Sequence, residues 1–571
     1  VVPLYRDMID VIDGAFVIKQ INNGIQGDYQ PPTNVELIDL VRGEEKENLG
    51  IPWGYAPSVF SRQLLENDFA KNLRCYEWYP DERSWGLAKE CFRILVSPFL
   101  YGPVMSEEDA VKRMDRSTSP GFPLNLKYRD KGTSWDGEKK MIMDIIDQVR
   151  KTGRFKVMFE YRPGKFFEWK HIYYLVSPKG ELRTVDKLLA IDPKKRKTRT
   201  FMCGDLVLYL ITTMCYGNQN DSFLEMSCGT EWSAVGMTPW YGGWNVMARH
   251  LTLDSKGGDP LFVSLDAEHM EASVNDNIQT VIDESANGAV VKSEEKDNVE
   301  VTNLLNFIHD SGTALYIIGV NGWLYLRTCV NPSGKLCTSK DNTFALMLLF
   351  LYIIAKSKTN VMEVLTAYYA SPGKIFGDDS LFRQVAWLTN IDYVMQSAKE
   401  LGFTLKLECP VGPLRDAKFL NAGFELRGTA WYFKPNFEKI RASIFFLWKA
   451  RSWRLAYVKV CAYRQLVFPF KEYRREADRM LKYILDNHDN DMRNETVMDD
   501  RITYAGARGS LMSDRDNEFL CTGYESGGPR TEVNYPLEVR FLTVAEYGRF
   551  KLYDQPAGDL SLIPEFVGFQ S

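Results

Sequence analysis

Two adjacent carboxylates between apolar runs are the most chemically suggestive feature of this 571-residue sequence. Lys374 to Phe382 reads K-I-F-G-D-D-S-L-F, with Gly377 ahead of Asp378 and Asp379. The flanking apolar residues predict two short strands, and glycine supplies the backbone angle that a tight turn between them requires. Asp-rich turns are common, so a lone pair is not yet a site. Hard divalent cations take oxygen ligands, however, and a two-metal centre needs a further carboxylate from elsewhere in the chain. Two places offer one. Asp254 and Asp259 flank Ser255-Lys256-Gly257-Gly258, which reads as a loop, whereas Asp266 follows the apolar run Leu261 to Leu265, a buried strand delivering its last residue to a sheet edge. Asp266 is the better ligand.

Between these acids lies Asn331-Pro332-Ser333-Gly334, followed by Thr338 and Asn342 and then an apolar helix through Ala355. Thr338 and Asn342 are spaced i, i+4 and share one face of the helix start. Polar groups there suit hydrogen bonds to a sugar hydroxyl; helix capping by Ser and Thr explains them equally well. The apolar run Phe344 to Ala355 falls short of the ~20 residues that a bilayer demands and reads as a buried helix.

The elements that must position these groups are mixed. Apolar spacing predicts a helix over Lys139 to Lys151 ending at Gly153, and another over Asp392 to Leu401 closed by Gly402. Phe403 to Leu407 alternates as a strand, and Phe419 to Leu426 with Ala430 to Phe433 predicts a hairpin. The 45% hydrophobic and 25% charged residues exclude disordered, collagen-like and coiled-coil chains, and the length allows about four domain-sized units. Ten cysteines form no C-x-x-C pair and do not cluster with the five histidines, which argues against structural zinc or a disulfide scaffold and for reduced thiols. With Val1 at its start, the chain is expected to be trimmed or cut from a longer precursor.

A net charge of −5 argues at first against a nucleic-acid partner. The distribution says otherwise. Lys187 to Arg199 holds six basic residues against one acid, Arg154 to Lys170 five against two, and Lys439 to Arg479 eleven against three. The last stretch interleaves Phe445, Phe446, Trp448, Trp453, Tyr457 and Tyr463 and suits a helical unit whose basic side tracks a phosphate backbone. The rest of the chain is correspondingly acidic, as a basic channel inside an acidic outer surface requires.

Six segments in this order resemble viral RNA-dependent RNA polymerases of the picornavirus-like group, which includes caliciviruses and astroviruses. They are S-T-S-P-G-F-P at Ser117 to Pro123, Lys187 through Lys197-Thr198-Arg199-Thr200, L-D-A-E-H-M-E-A-S-V from Leu265, S-G-x3-T-x3-N from Ser333, G-D-D at Gly377, and F-L-N-A-G-F from Phe419. The resemblance covers roughly residues 115 to 435 and implies an α+β, closed right hand of fingers, palm and thumb, with an antiparallel-sheet palm. Its implied layout is fingers with an N-terminal extension and part of the palm over 1–260, palm over 261–275, a fingers insertion over 276–325, palm over 326–435, and thumb with a C-terminal extension over 436–571. Strand-like Val539 to Val544 falls in that last part.

The resemblance also implies chemistry. Asp266 and Asp378 are similar to ligands of two Mg²⁺ or Mn²⁺ ions, with Asp379 supporting them. Lys187 and Arg199 resemble residues that grip the incoming triphosphate. Ser333, Gly334, Thr338 and Asn342 resemble the segment that reads the ribose 2′-hydroxyl, and Thr118, Ser119, Pro120 and Gly121 resemble a template-guiding loop. Glu271 stands where the family pattern has a second Asp, so its contact with Asn342 and the ribose is in question. Lys406 is the candidate acid that protonates pyrophosphate, although a solvent-facing strand lysine explains it equally well. The implied partners are RNA template and primer, nucleoside triphosphates and other viral replication proteins, with work at membrane-associated complexes in the host cytoplasm and no transmembrane segment. A reverse transcriptase shares the palm acids but lacks S-G-x3-T-x3-N, and a non-catalytic RNA-binding protein on a palm fold is the other rival.

Overall fold

The computed structural model describes residues 10–12, 15–20, 54–58, 61–73, 77–188, 198–226, 231–240, 242–253, 259–294, 298–328, 330–445, 452–495 and 504–522. Helices and largely antiparallel sheets are interleaved through this length, an α+β arrangement.

The central sheet runs Gly373–Phe376, Asp379–Arg383, Leu261–Glu268, Thr404–Leu407, with Gly412–Pro413 also pairing Leu261–Glu268. All its pairings are antiparallel. Behind it lies helix Thr338–Ala355, the apolar run of the sequence extended by one polar turn. Helix Glu82–Val96 packs against that helix, which is therefore buried around nearly its whole circumference. Helix Gly243–Thr252 joins the same core through Trp244 and Leu251.

A second core gathers under a six-stranded sheet in the order Asp10–Ile12, Ala15–Gln20, Trp323–Thr328, Ala314–Ile318, Tyr173–Lys179, Arg199–Cys203. Its apolar face meets helices Lys131–Thr152, Leu206–Met226 and Val299–Thr313. A third core is helical and forms among Phe437–Phe445, Trp453–Leu466, Lys471–Asn494, Tyr504–Gly509 and Asp514–Thr522.

The expected helix over Lys139 to Lys151 is present and ends at Gly153, φ +70°; a kink at Glu138, φ −126°, separates it from a preceding helical segment that starts at Lys131 under a reciprocal Asp130–Thr133 capping box. The expected helix at Asp392 spans Ile391–Glu400 under an Asn390 cap. Two expectations need correction. Asp266 does not end its strand: Thr404 and Leu405 pair with Glu268 and Ala267, carry the strand on to Glu268 and make it central rather than an edge. The first strand of the Phe419 hairpin is broken, since Leu420 and Asn421 take φ +54° and +58° and turn Lys418–Phe419 back on Ala422–Arg427. The second turn, to Ala430–Lys434, falls where expected.

The third core also spends charges and rings that the basic stretch from Lys439 offers on paper. Arg441, Lys459 and Arg464 are buried. Arg441 pairs with Glu476, Arg464 with Asp478 and Asp514, and Lys459 donates to the Ser443 carbonyl. Tyr457 and Tyr463 are core side chains, and Trp453 stacks on His488 with ring centres 3.6 Å apart. Phe446, Trp448, the Val539 to Val544 run, Asp254 and Lys194 to Lys197 lie outside the described residues.

Candidate active site

The acid hairpin forms as its composition dictates. Phe376 pairs with Asp379 across a two-residue loop, Gly377-Asp378, in which Gly377 takes φ +61°. Strand register does the rest: Asp379 lies opposite Asp266, and Asp266 lies opposite Lys406 on its other side. Directly opposed residues share a face of the sheet, so the three side chains form one row. The Asp378 carbonyl accepts the Ala267 N–H at 3.0 Å, which ties the turn to the central strand. As a result Asp266, Asp378 and Asp379 each place a carboxylate oxygen within 4.8 Å of the others.

Crowding of like charges marks the site. Burial, then Asp266, pushes the Asp378 carboxyl above the usual carboxylate range, while Arg199 and Lys179 pull it down. Burial, then Asp378, Glu408 and Asp266, push Asp379 well above that range. Glu408, absent from the sequence-based expectations, is itself raised by burial and by Asp266. Lys406 Nζ meets Asp266 Oδ2 at 2.5 Å; burial alone pulls the lysine down, but the bond and charge of Asp266 together with the charges of Glu268 and Glu408 raise it. Among the described residues no ammonium or guanidinium bridges Asp378 or Asp379. Acceptor-only oxygens with uncompensated charge are what a hard divalent cation fits.

Cations approach from the six-stranded sheet. Lys179 and Arg199 are directly opposed on adjacent strands, and both act electrostatically on Asp378 and on Glu271. Lys187 sits instead on the short helix Val185–Leu188 with an exposed side chain. The structure therefore brings one member of the expected pair to the acids and substitutes Lys179 for the other. Its sequence signal was a lysine closing an alternating strand, Tyr173–Lys179.

A polar pocket lies beside them. The Ser333 hydroxyl bonds Glu271, whose carboxyl burial pushes up to about 7 against the pull of Ser333, Lys179 and Arg199. Gly334 bridges Cys203 of the six-stranded sheet so closely that a Cβ there would strike the Met202 carbonyl. Asn342 Oδ1 is held at 2.8 Å by Asn331 Nδ2. Thr338 is spent on its own loop, its hydroxyl 2.6 Å from the Pro332 carbonyl and 2.8 Å from that of Lys335; it does not cap the helix, whose N-cap is Cys337 with no side-chain cap bond. Thr343, one residue past Asn342, went unremarked in the sequence; its hydroxyl accepts the Gly377 N–H at 2.9 Å and joins the helix to the acid turn.

Thr118 and Ser119 are exposed on their loop, and Pro120 and Gly121 are buried under it. The Thr118 carbonyl accepts Lys131 N–H at 2.8 Å, and the Pro120 carbonyl accepts Leu206 N–H at 2.9 Å. Gly121, φ +73°, leaves no room for a Cβ against Gly204 and Asp205. The loop is thus docked on the start of helix Leu206–Met226, with the Thr118 hydroxyl donating to the Asp115 carbonyl at 3.0 Å and the Ser119 hydroxyl accepting the Gly121 N–H at 3.3 Å.

An acid cluster on an antiparallel sheet, faced by paired cations and a polar pocket, is the layout that the six sequence segments imply. The chain belongs to the viral RNA-dependent RNA polymerase family, whose model matches residues 103–483. It is similar to the non-structural polyprotein 1AB of Ovine astrovirus 1, at 22% identity over 358 residues, 62% of this chain and 24% of that polyprotein. It is also similar to the genome polyproteins of Lettuce mosaic virus (strain E), 35% identical over 38% of this chain and 6% of the relative, and of Sweet potato mild mottle virus (isolate Salazar), 22% identical over 69% of this chain and 10% of the relative. The chain spans about a quarter or less of the length of these curated relatives. Among the described residues no helix is long and apolar enough to cross a membrane.

Proposed function

We propose that the chain copies an RNA template, joining a primer 3′-hydroxyl to the α-phosphate of a nucleoside triphosphate and releasing pyrophosphate. The observation that carries this reading is the convergence of Asp266, Asp378 and Asp379 with Lys179, Arg199 and the Ser333–Asn342 pocket. Asp266 and Asp378, supported by Asp379, would hold two Mg²⁺ or Mn²⁺ ions, which when bound lower the pKa of the hydroxyl and neutralise charge on the phosphates. Arg199 and Lys179 supply fixed positive charge for the triphosphate, Arg through its planar fork. Lys406 holds a proton beside Asp266 and is the donor for the departing pyrophosphate. Ser333, Asn342 and Glu271 form the sugar pocket, and Thr118 and Ser119 meet the template.

In this reading the central sheet with helices Glu82–Val96, Gly243–Thr252 and Thr338–Ala355 is the palm, the six-stranded sheet and its helices the fingers, and residues from 436 the thumb. The proposal extends to other viral replication proteins as partners, for which the polyprotein relatives are the support, and to membrane-associated complexes in the host cytoplasm as the place of action.

The test is extension of a primed RNA with Mg²⁺ or Mn²⁺. The expected result is template-directed incorporation, cut by at least about a hundredfold in Asp378→Ala, with RNA binding retained. Absence of synthesis with either metal sinks the reading, and an Asp378→Ala protein as active as its parent sinks the site. Preference for deoxynucleotides on the same primed RNA would favour a reverse transcriptase.

A further inference from the structure

We propose that Asn331 is a positioning residue for sugar selection, setting which end of the Asn342 side-chain amide faces the nucleotide; this rests on the sugar-pocket reading above. Asn331 is 1% exposed. Its backbone N–H donates to the Glu271 carbonyl at 2.9 Å, and its Nδ2 donates to Asn342 Oδ1 at 2.8 Å and more weakly, at 3.5 Å, to the Thr338 carbonyl. Through its backbone Asn331 is tied to Glu271 on the short helix Met270–Ser273, and through its side chain to the first turn of helix Thr338–Ala355.

A primary amide has an acceptor end and a donor end of nearly the same shape, so packing hardly distinguishes its two orientations; hydrogen bonds do. With Asn342 Oδ1 engaged by Asn331, the end left for a ligand is Nδ2, a donor. A ribose 2′-hydroxyl offers it an oxygen lone pair, and a deoxyribose carbon offers nothing. A polar site built for a hydroxyl rejects the analogue that lacks it because its own groups are left unpaired.

A second observation separates this role from packing. Asn331 Oδ1 is buried with no hydrogen-bond partner among the described residues. A side chain there for packing alone gains nothing from an orphaned oxygen, whose burial costs stability, and an apolar residue of the same size avoids that cost. What Asn331 supplies and leucine does not is a donor aimed at Asn342.

The test uses the full chain as Asn331→Leu, Asn342→Ala and the double variant. Single-nucleotide incorporation on one primed RNA gives kcat/KM for a ribonucleotide and for its 2′-deoxy counterpart, and thermal unfolding is followed alongside. Asn342→Ala is expected to lower the ribo-to-deoxy ratio at least about tenfold, as loss of a hydroxyl-reading group does. Asn331→Leu should lower the ratio to a similar extent while still melting cooperatively, and should add nothing in the Asn342→Ala background. A parental ratio in Asn331→Leu, or losses that multiply in the double variant, overturns the proposal. An unchanged ratio in Asn342→Ala overturns the sugar-pocket reading itself and the proposal with it. Should Asn331→Leu not fold, Asn331→Ala takes its place under the same criteria.

Discussion

Asp205 shows how one buried side chain outside the acid cluster sets a pH dependence of stability. It lies 1% exposed at the head of helix Leu206–Met226, beneath the Thr118–Gly121 loop, and its Oδ1 accepts the Leu208 N–H at 2.8 Å. A helix N-terminus favours a negative charge, yet burial wins over the Leu208 and Val207 amides and pushes the carboxyl up to about 8. An unfolded Asp loses its proton near ~3.9, so between that pH and about 8 the folded state binds more protons than the unfolded one. Stability from this group is therefore full below about pH 4, falls at up to about 1.4 kcal/mol per pH unit as pH rises, and levels off above the folded value. Asp205→Asn keeps the neutral shape at every pH. Its melting temperature relative to the parent is expected to climb between pH 5 and pH 8, and parallel melting profiles would show that the buried carboxyl titrates normally. Individual residues were unevenly legible in the sequence. Asp266, Asp378, Asp379, Arg199, Ser333 and Asn342 stand in local patterns that announce them. Lys179 has only its place at the end of an alternating strand to mark it, and Asn331, Thr343 and Glu408 make their contacts with partners distant along the chain, which no local pattern carries.

Elements were legible wherever periodicity and end signals agreed, as in the helices closed by Gly153 and Gly402 and the hairpin of Gly377. They were misread where tertiary pairing decided: Asp266 became central because a strand more than a hundred residues away lies beside it. The junction between helix Thr338–Ala355 and the acid hairpin belongs to this tertiary class and can be tested. Thr343 is fully buried, donates its hydroxyl proton to the Ser339 carbonyl at 2.7 Å, and accepts the Gly377 N–H at 2.9 Å. Thr343→Val preserves shape but leaves the Gly377 N–H without its acceptor, a loss of about 1–3 kcal/mol. The turn that carries Asp378 then has one anchor fewer, and a shift of ~1 Å at a reacting group can cost a hundredfold in rate. RNA synthesis is expected to fall by about one to two orders of magnitude in Thr343→Val and to recover in Thr343→Ser. Full activity in the valine variant would mean that the Ala267 bond and the strand register hold the turn unaided.

At the scale of the whole molecule, charge and core are divided differently from what the linear sequence suggests. The basic stretch from Lys439 reads as a surface for RNA, but Arg441, Lys459 and Arg464 face inward and bind the third core together. A charge run says how many cations are present and nothing about which way they point, since direction is set by the helix packing that surrounds them. Arg441 and Glu476 are 6% and 8% exposed; Arg441 Nε meets Glu476 Oε1 at 2.9 Å, and Tyr463 donates to the other oxygen at 3.3 Å. Removing one partner of such a pair strands a buried charge, at about 3–5 kcal/mol, whereas replacing both with apolar residues is often neutral or stabilising. Among the described residues this core shares no fully buried side chain with the other two, and only partly buried Phe433 packs against both it and the core of the central sheet, so the damage should stay local. In Glu476→Ala, amide hydrogen exchange is expected to accelerate through residues 437–522 while strands Leu261–Glu268 and Asp379–Arg383 keep their protection. Arg441→Met with Glu476→Met should restore slow exchange. Acceleration spread evenly over both regions would mean that the helical unit and the acid-bearing sheet unfold as one body, and that the separate cores are separate in packing but not in stability.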